Sequence, residues 1–232
     1  MRPDPRHPTV KAIEAIAERM IGDMGDHATA RQLQAEANRL RLAAEALDNV
    51  SRSRSPLDTP AAHALKVAKM ARKFGEEVTA SINRAGQTWN GGYQDAQRRI
   101  DEKVKLEPDA FASEIRAAFR GLSATAKAKL VNRLIEENRG SEFAAIVKAP
   151  TILTGLGDEE RAAYEQAIYA RHAAGELDEQ ANLSGVYERF MVAQKAAGDL
   201  VRELTDPGKL SDIEHADAAA TAAGDAFAQS LQ

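Results

Sequence analysis

The spacing of small and medium apolar residues constrains this chain more than any other feature. Leu33, Ala37, Leu40, Ala44 and Leu47 follow one another at intervals of three and four. So do Ala64, Val67, Ala71, Phe74, Val78 and Ile82, and later Leu183, Val186, Phe190, Ala193, Ala197, Leu200 and Leu204. Only a helix places residues so spaced on one face. Apolar residues make up 44% of the chain but aromatic ones only 5%, so the apolar content is mostly Ala and Leu, which favour helix. Runs of β-branched residues, which a sheet would need, are scarce. The fold class is therefore all-α: long amphipathic helices and helical hairpins flanking a compact unit of short helices.

Punctuation divides the 232 residues into three regions. In the N-terminal region, residues 1–105, the first helix starts near Thr9 and carries Val10, Ile13, Ala17, Met20 and Met24 on one face. Gly22 and Gly25 weaken its end, and the following stripe does not continue its register, so the pair reads as an antiparallel hairpin. A linker follows over residues 51–60, "SRSRSPLDTP"; within it Thr59 is placed to cap and Pro60 to open the next helix. "TWNGGYQ" interrupts that helix, leaving either one kinked helix or two. Residues 106–175 read as the compact unit. Phe111, Ile115, Ala118 and Phe119 face inward in its first helix, Leu130, Leu134 and Ile135 in its second, and Phe143, Ile146 and Val147 in its third. Residues 176–232 form a C-terminal hairpin. "TDPGK" ends its first helix, and Ser211 with Glu214 forms a capping box for a second that carries Ile213, Ala216, Ala220, Gly224, Phe227 and Leu231.

Composition and motifs argue against most chemistries. There is no cysteine, so thiol and disulfide chemistry is excluded. Charges of both signs are interspersed and the net charge is −4, which gives no dedicated nucleic-acid surface. Arg39, Arg41, Arg52 and Arg54 are the one basic cluster, and nearby acids make an ordinary charged face the better reading. No window reaches the roughly 18 apolar residues of a membrane span. The five histidines, His7, His27, His63, His172 and His215, form no ligand pair of the kind a zinc site needs. The neighbours Glu76 and Glu77, Glu136 and Glu137, and Glu159 and Glu160 diverge by about 100° on a helix, so none converges on a substrate. "KAPTILTGLGDEE" has two glycines but no preceding strand, and Glu160 stands where a dinucleotide loop has its third glycine. It reads as a packing element: Pro150 stops one helix, Ile152, Leu153 and Leu156 plug the core, Gly155 or Gly157 turns with positive φ, and Asp158 caps the next helix. No catalytic residue, cofactor, nucleotide or metal is expected, and the chain does not read as an enzyme.

The middle of the chain resembles a known class. "FASEIRAAFRGLS", "LVNRLIEENRGSEFAAIVKAPTILTGLGDEE" and the following "YARHA" resemble small α-helical proteins of tailed bacteriophages and prophages, over roughly residues 106–174. The resemblance implies a virion-associated internal, ejection or head–tail component, made in the host cytoplasm and assembling as a multimer with other virion proteins. It implies proximity to DNA without reading of its sequence, and no catalytic residues. The expected interface is the C-terminal hairpin seam: Leu183, Val186, Phe190, Leu200, Leu204, Phe227 and Leu231. That seam can be closed inside one chain, by pairing with the N-terminal hairpin, or between copies; a virion role favours copies. The alternative function is a bacterial cytoplasmic helical adaptor that binds a partner along its coiled hairpins.

Overall fold

The computed structural model describes residues 6–108 and 110–230. It is 84% helical, with ten α-helices and no strand among the described residues. In chain order these are α1 (Pro8–Arg19), α2 (Ala28–Arg52), α3 (Pro60–Val104), α4 (Ala112–Arg120), α5 (Ala124–Glu136), α6 (Gly140–Val147), α7 (Thr151–Thr154), α8 (Asp158–His172), α9 (Ala174–Leu204) and α10 (Pro207–Ser230).

The chain divides into two units, and not at the boundaries the punctuation indicates. The first unit holds the chain up to Trp89 and from Ser184 on; the second is Asn90–Leu183. The two longest helices, α3 and α9, contribute to both. Sequence-adjacent regions are therefore not the packing units: the N-terminal and C-terminal stripes share one core.

In the first unit, α1, α2, α3 and α9 supply that core. Val10, Ile13, Leu33, Leu40, Phe190 and Ala197 are each fully buried in it. The helix ends are tied by side chains. His7 Nδ1 accepts from the Thr9 N–H at 3.2 Å and caps α1, with Pro8 in the first turn, where a missing N–H has no helical partner to lose. Buried Asp48 of α2 accepts from the His7 backbone N–H at 2.9 Å and from Arg52 at 3.0 Å. At the other end of α1, orphan carbonyls are satisfied by neighbours: Gln34 donates to Ala17 O at 2.9 Å and Arg189 to Met20 O at 2.9 Å. Thr59 Oγ1 accepts from the Ala62 N–H at 3.1 Å, so the linker ends in the cap its sequence indicates.

"TWNGGYQ" does not interrupt α3, which runs as one helix through Gly91 and Gly92. Trp89 packs on the first unit's core and stacks on Tyr187 with ring centroids 5.1 Å apart. This tertiary contact outweighs the weak local propensity of the glycines.

The second unit has its own core, with Phe119, Phe143, Ile146, Ile100 and Ile168 buried. Its tightest point is Gly140, at the start of α6. A Cβ there would lie 1.7 Å from Val104 O and 2.8 Å from Lys105 O. Just before it, Asn138 holds positive φ and donates through Nδ2 to Lys103 O at 3.0 Å. Two expected inward residues are not inward: Phe111 precedes α4 and is 67% exposed, and Ala118 is exposed. Helix α4 starts only at Ala112 and buries Ala112 and Phe119, a face turned about 100° from Phe111.

Residues 148–160 are only partly the expected core plug. Leu156 is buried and Leu153 half-buried, but Ile152 is 85% exposed. The turn α7 buries Thr154 instead, because one helical turn can direct only one side inward. Gly155 has φ +74°, as expected of the turn. The cap of α8 is Gly157 and not Asp158: Glu160 reaches back to accept from the Gly157 N–H at 2.9 Å, while Asp158 pairs with Arg161.

Helix α10 starts earlier than the Ser211–Glu214 pattern indicates. Asp206 Oδ1 accepts from the Gly208 N–H at 2.9 Å, and Pro207 is the first helical residue. Proline's fixed φ and the preceding carboxylate set the start, leaving Ser211 inside the helix.

Candidate functional site

Several of the groups that stand out in the sequence are engaged within the fold. His7 caps α1 and faces Glu203 at 3.3 Å; His63 Nε2 is 3.1 Å from Ser51 O; His172 bonds Ile135 O. His215 is exposed on α10. No group of three or more metal-ligating side chains converges among the described residues.

The adjacent carboxylates diverge as helical geometry requires. Glu77 pairs with Arg84 at 2.6 Å and Arg39 at 3.0 Å, whereas Glu76 is exposed. Glu137 pairs with Arg133 at 3.4 Å, and Glu136 is exposed. The basic cluster is largely neutralised by the same logic. Arg39 meets Glu77, Arg41 meets Glu45 at 3.1 Å and Arg52 meets Asp48, leaving Arg54 on the linker as the exposed member with no such pair.

Shifted ionisations mark structural ion pairs. Hydrogen bonds that Arg84 donates to Glu36 and Glu77 raise its pKa above the ordinary guanidinium value. Hydrogen bonding from Arg139 lowers the Glu142 carboxyl, and from Lys103 the Glu176 carboxyl. Burial raises the Tyr169 phenol, with Glu165 and Asp101 adding to it. A concavity of about 800 Å³ in the second unit is lined by Asp101, Glu102, Lys105, Glu107, Ser141 and Lys148, among others. Carboxylates and ammonium groups are mixed along it, so it favours neither charge sign in a ligand.

The expected interface is placed differently from the expectation. Leu183, Val186, Phe190 and Leu200 are buried within the chain, each at 0–1% exposure, and Leu204 is half-buried against the first core. Between the two ways of closing the seam, the chain closes it internally, because α1, α2 and α3 already cover the α9 stripe. Leu183, Val186, Phe190 and Leu200 therefore offer no surface to a second copy. The Phe227 side chain and Leu231 lie outside the described residues.

What remains open is α10. Leu210 is buried, Ile213 is half-buried and Glu214 pairs with Arg72 at 2.5 Å, anchoring the start of the helix on α3. From His215 to Ala223 every residue is exposed, including Ala216 and Ala220 of the expected stripe. The sequence places a stripe there but carries no sign that the stripe is left uncovered. Among the described residues no helix is long and apolar enough to cross a membrane. Within the first unit, α10 is thus held at its start and exposed from His215 to Ala223. No family model, curated protein or solved structure matches the chain.

Proposed function

We propose that this protein is a non-enzymatic assembly subunit that joins a larger structure by helix-to-helix contact, with α10 as its joining element. The exposed His215–Ala223 segment of α10 carries this reading. Helices draw most of their stability from packing of a face, and this one packs only its first turns. Its alanines allow a partner helix to approach closely, and Asp212 and Asp217 are its exposed carboxylates. The α1, α2, α3 and α9 stripes of the first unit are closed internally, which leaves α10 as its open element.

The sequence resemblance supports a tailed-phage particle as that assembly, with the chain as an internal, ejection or head–tail component. Mass spectrometry of purified particles from the source organism or its prophage tests this. The chain should be present in stoichiometric amount, and a version lacking residues 215–232 should be missing from the particles. Recovery only in the host cytosol, bound to one partner, would instead identify a helical adaptor.

A further inference from the structure

Charge is unevenly spread along this chain. Between Ile115 and Ile135 lie Arg116, Arg120, Lys127, Lys129 and Arg133, with no Asp or Glu. From Leu210 to Gln232 lie Asp212, Glu214, Asp217 and Asp225, with no Lys or Arg. The basic segment covers most of α4 and α5, and the acidic one runs along α10.

At the turn between α4 and α5, two cations are fixed against α7. Arg120 Nε donates to Leu153 O at 3.2 Å, and Lys127 Nζ to Thr154 O at 2.9 Å. Lys127 Nζ also lies 5.2 Å from the centre of the buried Phe119 ring. Carbonyls hold these side chains in place but carry no net charge. Both positive charges therefore survive, unlike that of Arg84 between Glu36 and Glu77. The acids that follow α7 are engaged at the start of α8: Asp158 with Arg161, and Glu160 with the Gly157 N–H. The same corner is apolar and open. Ile152, whose neighbour Leu153 accepts from Arg120, is 85% exposed, and Leu122 in the turn is 38% exposed. A phosphate backbone would use the cations alone; exposed apolar side chains beside them favour a protein surface.

We infer that this corner receives α10 of a second copy of the chain. The exposed segment His215–Ala223 would lie on Ile152 and Leu122, with Asp217 toward Arg120 and Lys127. This inference rests on the reading of α10 as the joining element and names what it joins. The two surfaces differ, so the contact is head-to-tail: each copy gives α10 to one neighbour and its corner to another. Repetition then builds a ring or a filament. One helix segment on one corner is a small interface, so association is weak and grows with concentration.

Sedimentation velocity of the full chain over a concentration range, at low and high salt, tests it. Wild type should form multimers whose share rises with concentration and falls with salt. Ile152→Asp, at an exposed site, should keep its helical circular dichroism and weaken association about tenfold or more. Asp217→Arg and Arg120→Glu should each do the same. An equimolar mixture of these last two should recover association, because it restores opposite charges across the contact. Wild type that stays monomeric, variants that associate as wild type does, or a mixture no better than its components would each overturn the second-copy contact. So would a corner that binds duplex DNA through Arg120 without self-association. None of these results decides the reading of α10 as the joining element. That reading fails instead if particles still take up the chain lacking residues 215–232.

Discussion

At position 140 even a methyl group is too large. The neighbours of an added Cβ are the backbone carbonyls of Val104 and Lys105, which cannot rotate away as a side chain can. Gly140→Ala must displace α6, which carries Phe143 and Ile146 into the second core. The expected loss is about 3 kcal/mol or more, read as a lower urea midpoint, the upper range for overpacking. Gly175→Ala, with open space around its Cβ, should lose nothing by the same measurement. Charge makes a second prediction at this scale. Lys103 holds the Glu176 carboxyl below its ordinary value, and Arg139 does the same to Glu142. A depressed folded-state value means that the folded form binds protons less readily than the unfolded chain. The stabilisation is therefore complete above the ordinary carboxyl value near 4.5 and disappears as pH falls through the lower folded-state values. Urea midpoints measured through this acid range should fall less steeply for Glu176→Gln than for wild type. Equal slopes would show that the Lys103–Glu176 pair contributes nothing.

The elements show which parts of the sequence were readable and why. The stripes of α1, α2 and α9 were legible because period and burial coincide: Val10, Ile13 and Ala17, then Leu33, Ala37 and Leu40, then Val186, Phe190 and Ala193 are all buried. Where a feature depends on a distant contact, local pattern failed. Gly91 and Gly92 look like a break, but α3 runs through them as one helix, with Trp89 stacked on Tyr187 just before them. Ile152 looks like core because it is apolar, yet a single turn such as α7 gives no period from which to read its direction. The exposed stretch of α10 was illegible for a related reason, since a stripe states which residues share a face and not whether anything covers it. The start of α10 provides a test between pattern and geometry. Asp206→Ala should destabilise the first turns of α10 by about 1 kcal/mol, seen as faster amide exchange over residues 207–214. Ser211→Ala should have no such effect, although the sequence pattern assigns the cap to Ser211.

For the molecule as a whole, the question is which helices hold the chain together and which join it to something else. Phe190 is fully buried and lies 6.3 Å from Tyr187 in a stacked arrangement, with α1, α2 and α3 supplying the rest of that core. Phe190→Ala should cost about 3–5 kcal/mol, the usual range for emptying a buried aromatic site. Phe190→Asp should abolish cooperative unfolding of the first unit, since it buries a charge with no partner. Removing residues 215–232 should behave in the opposite way. The described residues His215–Ala223 are exposed, so their loss uncovers little apolar surface and the urea midpoint should stay near the wild-type value. The same truncation should eliminate entry into the assembly. Stability and incorporation would then respond to different changes, as expected if α9 closes the bundle and α10 makes the outside contact. A truncated chain that loses as much stability as Phe190→Ala would mean that α10 packs on its own bundle in solution. In that case it could not be the joining element.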